Sequence, residues 1–172
     1  LLAEKYPRQP VLACPLYRPA VVTTERLWLR ELTPADAPFV AAMTDSVTDA
    51  ADWLARCQRR YARDGFGLWL AIERASGEPV GQIGLLSQTV GGVVEPEVSY
   101  HLHALHRRRG FAVEGAAAVR DWAFARGYDH VIALIGDDNA ASQAVARKLG
   151  MAPGGHAMHA GVDHVVWRVD RR

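Results

Sequence analysis

The part of this chain that most restricts its fold is residues 97–136, where two strand patterns flank a glycine turn and a helix pattern. Residues 97–103 alternate polar and apolar side chains, which is typical of a strand with one covered face. A basic run ends at Gly110, and an apolar stripe then continues to Gly127, which favours a helix between these two glycines. Residues 130–136 are β-branched and nearly all apolar, as in a strand buried on both faces. The segment therefore predicts a strand, a helix and a second strand in a mixed α/β sheet.

The rest of the chain adds elements on both sides of this segment. Residues 26–31 alternate as a strand does, and Thr33 followed by Pro34 predicts a capped helix start. The apolar face of residues 49–63 predicts a second helix. The remaining predicted elements are the strands 65–73, 79–87 and 163–169 and a helix over 139–149. Together they predict one sheet layer with helices packed around it.

Length and charge restrict the class of protein. The 172 residues suffice for one domain with a sizeable core, and 49% of them are hydrophobic. Lysines and arginines number 20 against 19 acidic residues, which gives a formal net charge of +1. A protein that coats nucleic acid has a large basic excess, because phosphate neutralisation supplies most of its affinity. We therefore expect no nucleic-acid partner, and we expect any anion site to be local and to take a small ligand.

Cysteine content and hydropathy give further expectations. Cys14 and Cys57 are the two cysteines, and no CxxC motif or Cys/His pair at zinc spacing is present. We therefore expect a reducing compartment and no disulfide, and the spacing of the histidines gives no reason to expect a metal. No apolar run approaches the roughly 18 residues that span a bilayer, and no secretory pattern is visible. These observations predict a soluble, cytoplasmic protein without a membrane partner.

Proline spacing separates the first 22 residues from the rest. Pro7, Pro10, Pro15 and Pro19 forbid a regular helix over this segment. The alternation of a strand begins only at Arg26. We therefore expect residues 1–22 to form an extended arm and residues 23–172 to form a single domain.

Several segments resemble the GNAT acyltransferases, which use acetyl-CoA. Residues 107–112, RRRGFA, are similar to the family's Q/R-x-x-G-x-G/A signature and lie between a predicted strand and a predicted helix. Residues 139–151, NAASQAVARKLGM, are similar to the N-x-x-S-x-x-x-x-x-K-x-G-F segment of the branch that includes ribosomal-protein N-terminal acetyltransferases (RimJ/RimL-like). Residues 26–36 and 65–85 resemble that branch's opening strand and helix and its central hairpin. The likeness runs in unbroken order over residues 24–170.

The resemblance implies a fold and a cosubstrate. The GNAT fold is a central, mostly antiparallel sheet that splays between two central strands, with helices on both faces. The pantetheine arm of acetyl-CoA would enter the splay and pair with the main chain of Leu102 and His103, and a strand N–H there would meet the developing oxyanion. A glycine turn at a helix N-terminus suits the diphosphate, because free N–H groups and the helix dipole favour negative charge. The residues available to the diphosphate or the 3′-phosphate are Arg107, Arg108, Arg109, Gly110, Phe111 and Ala112.

Acetyl transfer to an amine needs a proton acceptor and a route for the thiolate to leave. By resemblance, Glu97 occupies the position of the branch's glutamate and is the first candidate for general base. The alternative is that Glu97 is an ordinary solvent-facing carboxylate on a strand. His101, on the same face, is the second candidate. Asn139 would hold the pantetheine or act only as a helix N-cap. The leaving sulfur would receive a proton from Ser142 or from a water molecule, or would leave as the thiolate without assistance. Many family members have a tyrosine acid seven residues past this asparagine, where this chain has Ala146.

The sequence therefore predicts an acetyl-CoA-dependent N-acetyltransferase that acts by direct attack in a ternary complex. The acceptor would be a protein N-terminus or a small amine such as a polyamine, an amino acid or an aminoglycoside. The missing tyrosine keeps a second class open, a GNAT-fold module that binds CoA without turnover as a sensor or interaction domain. A homodimer is expected only by analogy with the family. A dinucleotide oxidoreductase is disfavoured, because no G-x-G-x-x-G motif follows a first strand.

Overall fold

A computed structural model of the protein describes residues 20–43 and 50–172. The strands in these residues are β1 (Val22–Thr23), β2 (Leu27–Glu31), β3 (Leu68–Glu73), β4 (Pro79–Val90), β5 (Val93–Leu102), β6 (His130–Ile135), β7 (Ala152–His159) and β8 (Val162–Asp170). The helices are α1 (Ala37–Met43), α2 (Ala50–Asp64), α3 (Phe111–Ala125) and α4 (Ala140–Lys148), with 3₁₀ turns at Pro34–Asp36 and Ala104–His106.

The strands form one sheet in the order β1-β2-β3-β4-β5-β6-β8-β7. Neighbouring strands are antiparallel except β5 and β6, which run parallel. β4 and β5 pair from Gly81–Leu102 to Val90–Val93, whereas β5 and β6 pair only at Glu97–Ile132. The two central strands therefore separate beyond Glu97, and the predicted mostly antiparallel, splayed sheet is confirmed.

Helices cover both faces of this sheet, as adjacent residues of β4 show. Gln82 accepts a hydrogen bond from Trp53 of α2, while the Ile83 side chain reaches Gly115 of α3. Successive side chains of a strand point to opposite faces, so α2 and α3 lie on opposite sides. Closely packed apolar side chains, Trp69 and Phe111 among the largest, fill the space between the helices and the sheet.

Several boundaries differ from the sequence prediction. The strand β7 was not predicted, because its Pro153, Gly154 and Gly155 are typical of turns, and it is tolerated at the sheet edge beside β8. Val22, expected to end the N-terminal arm, pairs with Leu29 and is buried in the sheet. The remainder of the expected arm, residues 1–19, lies outside the described residues.

Gly84 of β4 is expected to be essential for strand packing. A Cβ atom there would lie 2.0 Å from the Gly67 carbonyl oxygen and 2.8 Å from the Leu68 Cα, so the sheet would have to shift. We expect Gly84→Ala to lower the free energy of unfolding by about 2 kcal/mol, measured by denaturant titration. Gly155→Ala is the matched control, because a Cβ there meets nothing within 4 Å and its φ is outside the left-handed region. Equal stability of the two variants would contradict the prediction.

Candidate active site

The glycine turn that precedes α3 has the geometry of an anion site. Gly110 is the N-cap residue with φ of 85°, a left-handed conformation that favours glycine. The Glu114 N–H donates to the Gly110 carbonyl (3.1 Å), so the N–H groups of Phe111, Ala112 and Val113 precede the first hydrogen bond of the helix. They point out of the helix end, where the dipole also favours an anion.

An ion pair between Arg26, the residue before β2, and Glu114 of α3 holds this turn in place, and we call this pair the brace. Arg26 donates to the Arg109 carbonyl (3.0 Å) and forms an ion pair with Glu114 (2.6 Å). Glu114 also accepts from the Thr24 hydroxyl (2.6 Å), and the Arg26 guanidinium lies 4.9 Å from the Phe111 ring centroid. The turn is therefore organised by contacts within the protein. Sequence reasoning missed the pair because its members are 88 residues apart.

The three arginines of the turn have different roles. The Arg107 Nε donates to the Leu102 carbonyl (3.0 Å). Arg109 forms an ion pair with Glu73 (2.5 Å) and lies 4.7 Å from the centroid of the neighbouring Phe111 ring. Arg108 is exposed with φ of 62°, and its guanidinium has no hydrogen bond or ion pair to the residues that the structure describes. Two arginines thus support the turn, and Arg108 is available to a ligand.

The main chain of His103 lies just beyond the end of β5. Its N–H donates to the Val80 carbonyl (3.0 Å), and its own carbonyl accepts from the His106 N–H (2.9 Å). Both groups hydrogen-bond within the protein, and the expected pairing of His103 with pantetheine stays a prediction. Backbone groups alternate sides along a strand, so those of Leu102 and Tyr100 point away from β4 and toward the splay.

Glu97 lies where the splay begins, at the one residue pair that joins β5 to β6 in the described sheet. Its side chain is buried, with 8% of the residue exposed, so the alternative of an ordinary solvent-facing carboxylate is wrong. Burial raises the pKa of Glu97 to about 7, opposed by a hydrogen bond from the Leu134 backbone and by the positive charges of His164 and Arg60. A carboxyl group with this pKa exchanges protons readily at neutral pH.

His101 shares the Glu97 face of β5 but lies four residues further along. Four residues of strand span about 13 Å, so the two side chains do not act as a contacting pair. Partial burial of the ring and then the Arg107 charge lower the pKa of His101, while a hydrogen bond with the Met43 backbone raises it. His101 therefore lies beside the end of α1, away from the point where β5 meets β6.

The helix α4 follows β6, the strand that lies across the gap from β5. The Asn139 side chain accepts from the Ser142 N–H (3.0 Å), which is the N-cap arrangement that sequence analysis left open. The Tyr100 hydroxyl donates to the Ser142 carbonyl (2.9 Å) and so connects β5 to α4. Burial raises the pKa of Tyr100 to about 12. Ala146, at the position where many relatives have a tyrosine, is fully buried. The Tyr100 hydroxyl, which contacts Ser142, was not singled out by sequence analysis.

Two observations concern metals and membranes. Within residues 20–43 and 50–172, no three His, Cys, Asp or Glu side chains are arranged to hold a metal ion. In the same residues, no helix is both long and apolar enough to cross a membrane. The imidazoles of His130 and His156 instead contact single carboxylates, those of Glu95 and Asp163 respectively.

Comparison with known proteins identifies the family. A family model described as an acetyltransferase (GNAT) domain matches residues 26–152, and the chain belongs to this family. Protein YkkB of Bacillus subtilis is 35% identical over 101 residues, which are 58% of this chain and 59% of YkkB. The N-acetyltransferase YjdG of the same organism is 32% identical over 88 residues, 50% of this chain and 51% of YjdG. The chain thus spans a little over half the length of these curated relatives.

Solved structures agree with the fold. An acetyltransferase from Agrobacterium tumefaciens is 25% identical with a TM-score of 0.75, and the match covers 92% of this chain and 98% of that one. YncA of Salmonella typhimurium, solved with acetyl-CoA, is 20% identical with a TM-score of 0.65 and coverages of 85% and 94%. RimJ of Mycobacterium smegmatis, solved with CoA-disulfide, is 20% identical with a TM-score of 0.65 and coverages of 84% and 81%. The last two likenesses show the fold alone.

Proposed function

We propose that this protein is an acetyl-CoA-dependent N-acetyltransferase in which a primary amine attacks the thioester directly within a ternary complex. The observation that carries the proposal is Glu97, a buried carboxyl group at the point where two central strands separate. In a GNAT domain, the acetyl donor and the amine must meet near such a gap for direct transfer. A proton acceptor at this position serves that reaction and has no evident role in packing.

The residues of the described chain fit acetyl-CoA, which supplies the thioester. The N–H groups that follow Gly110, together with Arg108, would hold the diphosphate, because they are directed outward and the turn is already braced. The splay-facing N–H of Leu102 and the backbone of Tyr100 would pair with the pantetheine amides, while the Leu102 carbonyl already accepts from the Arg107 Nε. The Asn139 side-chain amide would add a further contact at the start of α4.

Glu97 would take the proton from the ammonium form of the acceptor, directly or through a water molecule. The Leu134 backbone N–H, which hydrogen-bonds to this carboxyl group, holds it at the gap. His101 is the second candidate for this role. We assign the proton donor for the departing sulfur to Ser142, because Ala146 has no hydroxyl and is fully buried.

A GNAT-fold module that binds CoA without turnover is the second candidate. The observation in its favour is Ala146, where many relatives carry a tyrosine, since the usual proton donor is then missing. Such a module would keep the anion site and the splay but release no thiol.

Thiol release from acetyl-CoA separates the two functions. We expect release with at least one acceptor class in a panel of peptides with free N-termini, polyamines, aminoglycosides and amino acids. Calorimetry on the same preparation should show binding of CoA. Binding without release in every class would favour the silent module. No heat with either CoA or acetyl-CoA from the folded protein would contradict both functions.

A further inference from the structure

The helix α2 carries a concentration of positive charge that the proposed function does not explain. Its four arginines outnumber its two carboxylates, Asp52 and Asp64, so the helix has a net charge of +2 in a chain of +1. A surface cavity of about 560 Å³ lies against this helix. The residues that line it are Arg56, Arg59, Arg60, Ala62 and Arg63.

Part of this charge lies on the flank of α2 that faces the sheet. Trp53 on this flank donates to Gln82 of β4 (3.0 Å), and Asp64 hydrogen-bonds to Ser87 of the same strand. Arg60 follows Trp53 by seven residues and precedes Asp64 by four, so it occupies the same flank of the helix. Arg56 follows Trp53 by three residues and lies beside it, with its guanidinium 5.2 Å from the indole centroid.

The proposed base lies on the face that this flank covers. In the β4–β5 ladder, Gln82 is opposite His101 and Leu86 is opposite Glu97, and opposed residues share a face. Glu97 therefore points to the α2 side of the sheet. Arg60 lies between Trp53 and Asp64 on the flank that runs along β4, and Trp53 contacts Gln82 near one end of that run, so Arg60 lies over the part of the sheet that holds Leu86 and Glu97. The charge of Arg60 accordingly acts on the Glu97 carboxyl group.

Three carboxylates of the described residues are paired with side chains other than Arg59 and Arg60. Asp64 forms an ion pair with Arg63 (2.7 Å), Glu95 contacts His130, and Asp163 contacts His156 (2.9 Å). By contrast, Arg59 and Arg60 have no hydrogen bond or ion pair to residues within 20–43 or 50–172. The side chain of Arg60 is half-buried, and its charge acts on the Asp64 and Glu97 carboxyl groups. Its guanidinium makes no direct ion pair with either carboxylate, so its N–H donors are available to a ligand.

We propose that the acceptor is an amine that also carries a carboxylate or a phosphate, and that Arg60, with Arg56 and Arg59, binds this anionic group while the amine faces Glu97. The inference rests on the proposed function and names its substrate class. Guanidinium groups bind carboxylates and phosphates through paired hydrogen bonds. A polyamine or an aminoglycoside would instead bring positive charge against these arginines, which is unfavourable.

The first test compares acceptors that differ only in the anionic group. The pairs are phosphoethanolamine against ethanolamine, and an acidic dipeptide against the same dipeptide with its carboxylates amidated, with spermidine as a cationic reference. We expect kcat/KM to be at least about tenfold higher for the anionic member, since charge-assisted hydrogen bonds contribute on this scale. The two pairs distinguish a small phosphorylated amine from a peptide N-terminus. Equal or higher kcat/KM for the neutral members or spermidine would overturn the inference while leaving the acetyltransferase proposal intact.

The second test uses Arg60→Gln at pH 9, well above the pKa of about 7 that Glu97 has in the unmodified protein. We expect KM for the anionic acceptor to rise about tenfold and KM for acetyl-CoA to stay unchanged, with partial recovery in Arg60→Lys. Arg172→Gln, at the exposed C-terminus, is the control and should match the unmodified protein. An equal loss of kcat for anionic and neutral acceptors would overturn the inference, because Arg60 would then act only through Glu97. Binding of CoA with no turnover of any acceptor would instead contradict the proposed function itself.

Discussion

Replacing Glu97 with glutamine is expected to lower kcat by about 10²- to 10⁴-fold, the usual contribution of a general base. The change preserves shape and still offers an oxygen to the Leu134 N–H, so the affinity for acetyl-CoA should not change. Steady-state thiol release and calorimetry measure the two effects separately. Glu95→Gln is the matched control, because Glu95 is on the same strand but contacts His130 rather than the splay.

The pH dependence of the reaction gives a second readout of Glu97. A base acts in its deprotonated form, so kcat/KM of the unmodified protein should rise with pH and level off above the pKa of about 7. Glu97→Gln should lose this rising limb. Undiminished turnover of the variant from pH 6 to pH 9 would remove Glu97 from the proton path.

The same raised pKa predicts that the variant gains stability. The ordinary pKa of glutamate is 4.5 and that of folded Glu97 is about 7, so between these values the folded state holds a proton that the unfolded state has lost. Stability therefore falls as pH rises through this window. Above it, the buried charge costs about 3 kcal/mol at most. We expect Glu97→Gln to be more stable than the unmodified protein at pH 8 and equal to it at pH 4, measured by denaturant unfolding.

The elements of this fold were predictable where the signal is local. Gly110 ends a basic run and marks a turn, and Gly127 follows an apolar stripe and ends a helix. The continuous apolar residues of β6 indicate a buried strand. Prediction failed for β7, because its residue types fit a turn better than a strand. The strand β7 contains Pro153 and two following glycines, which sequence reasoning assigns to a turn, yet pairing with β8 at the sheet edge holds it extended.

The candidate site was predictable only in part, because its chemistry depends on contacts between distant segments. Alternation along β5 places Glu97 on one face but does not reveal that this face is buried where β6 approaches. The Arg26–Glu114 brace joins residues far apart in the chain. The arginines of α2 are visible in the sequence, but the Trp53–Gln82 contact is needed to show which flank of the helix faces the sheet.

Replacing Ala112 with glutamate is expected to weaken CoA binding by at least about 100-fold, which corresponds to roughly 2.7 kcal/mol. Ala112 is the second residue of α3, beside the N–H groups that precede the first helical hydrogen bond. A carboxylate there would interact with those groups itself and repel the diphosphate. Acidic residues in the first turn stabilise helices, so the domain should remain folded. Calorimetry with CoA measures the loss, and thermal unfolding checks the fold.

Ala112→Ser is the control for this change, because serine keeps the position small and uncharged and should bind CoA within a few-fold of the unmodified protein. Acetyl-pantetheine gives a sharper comparison, since it lacks the diphosphate. If the turn binds phosphate, the glutamate variant should lose affinity for CoA but retain its response to acetyl-pantetheine. Unchanged affinity for CoA would place the diphosphate elsewhere, and the α3 N-terminus would then be no more than a helix start braced by Arg26.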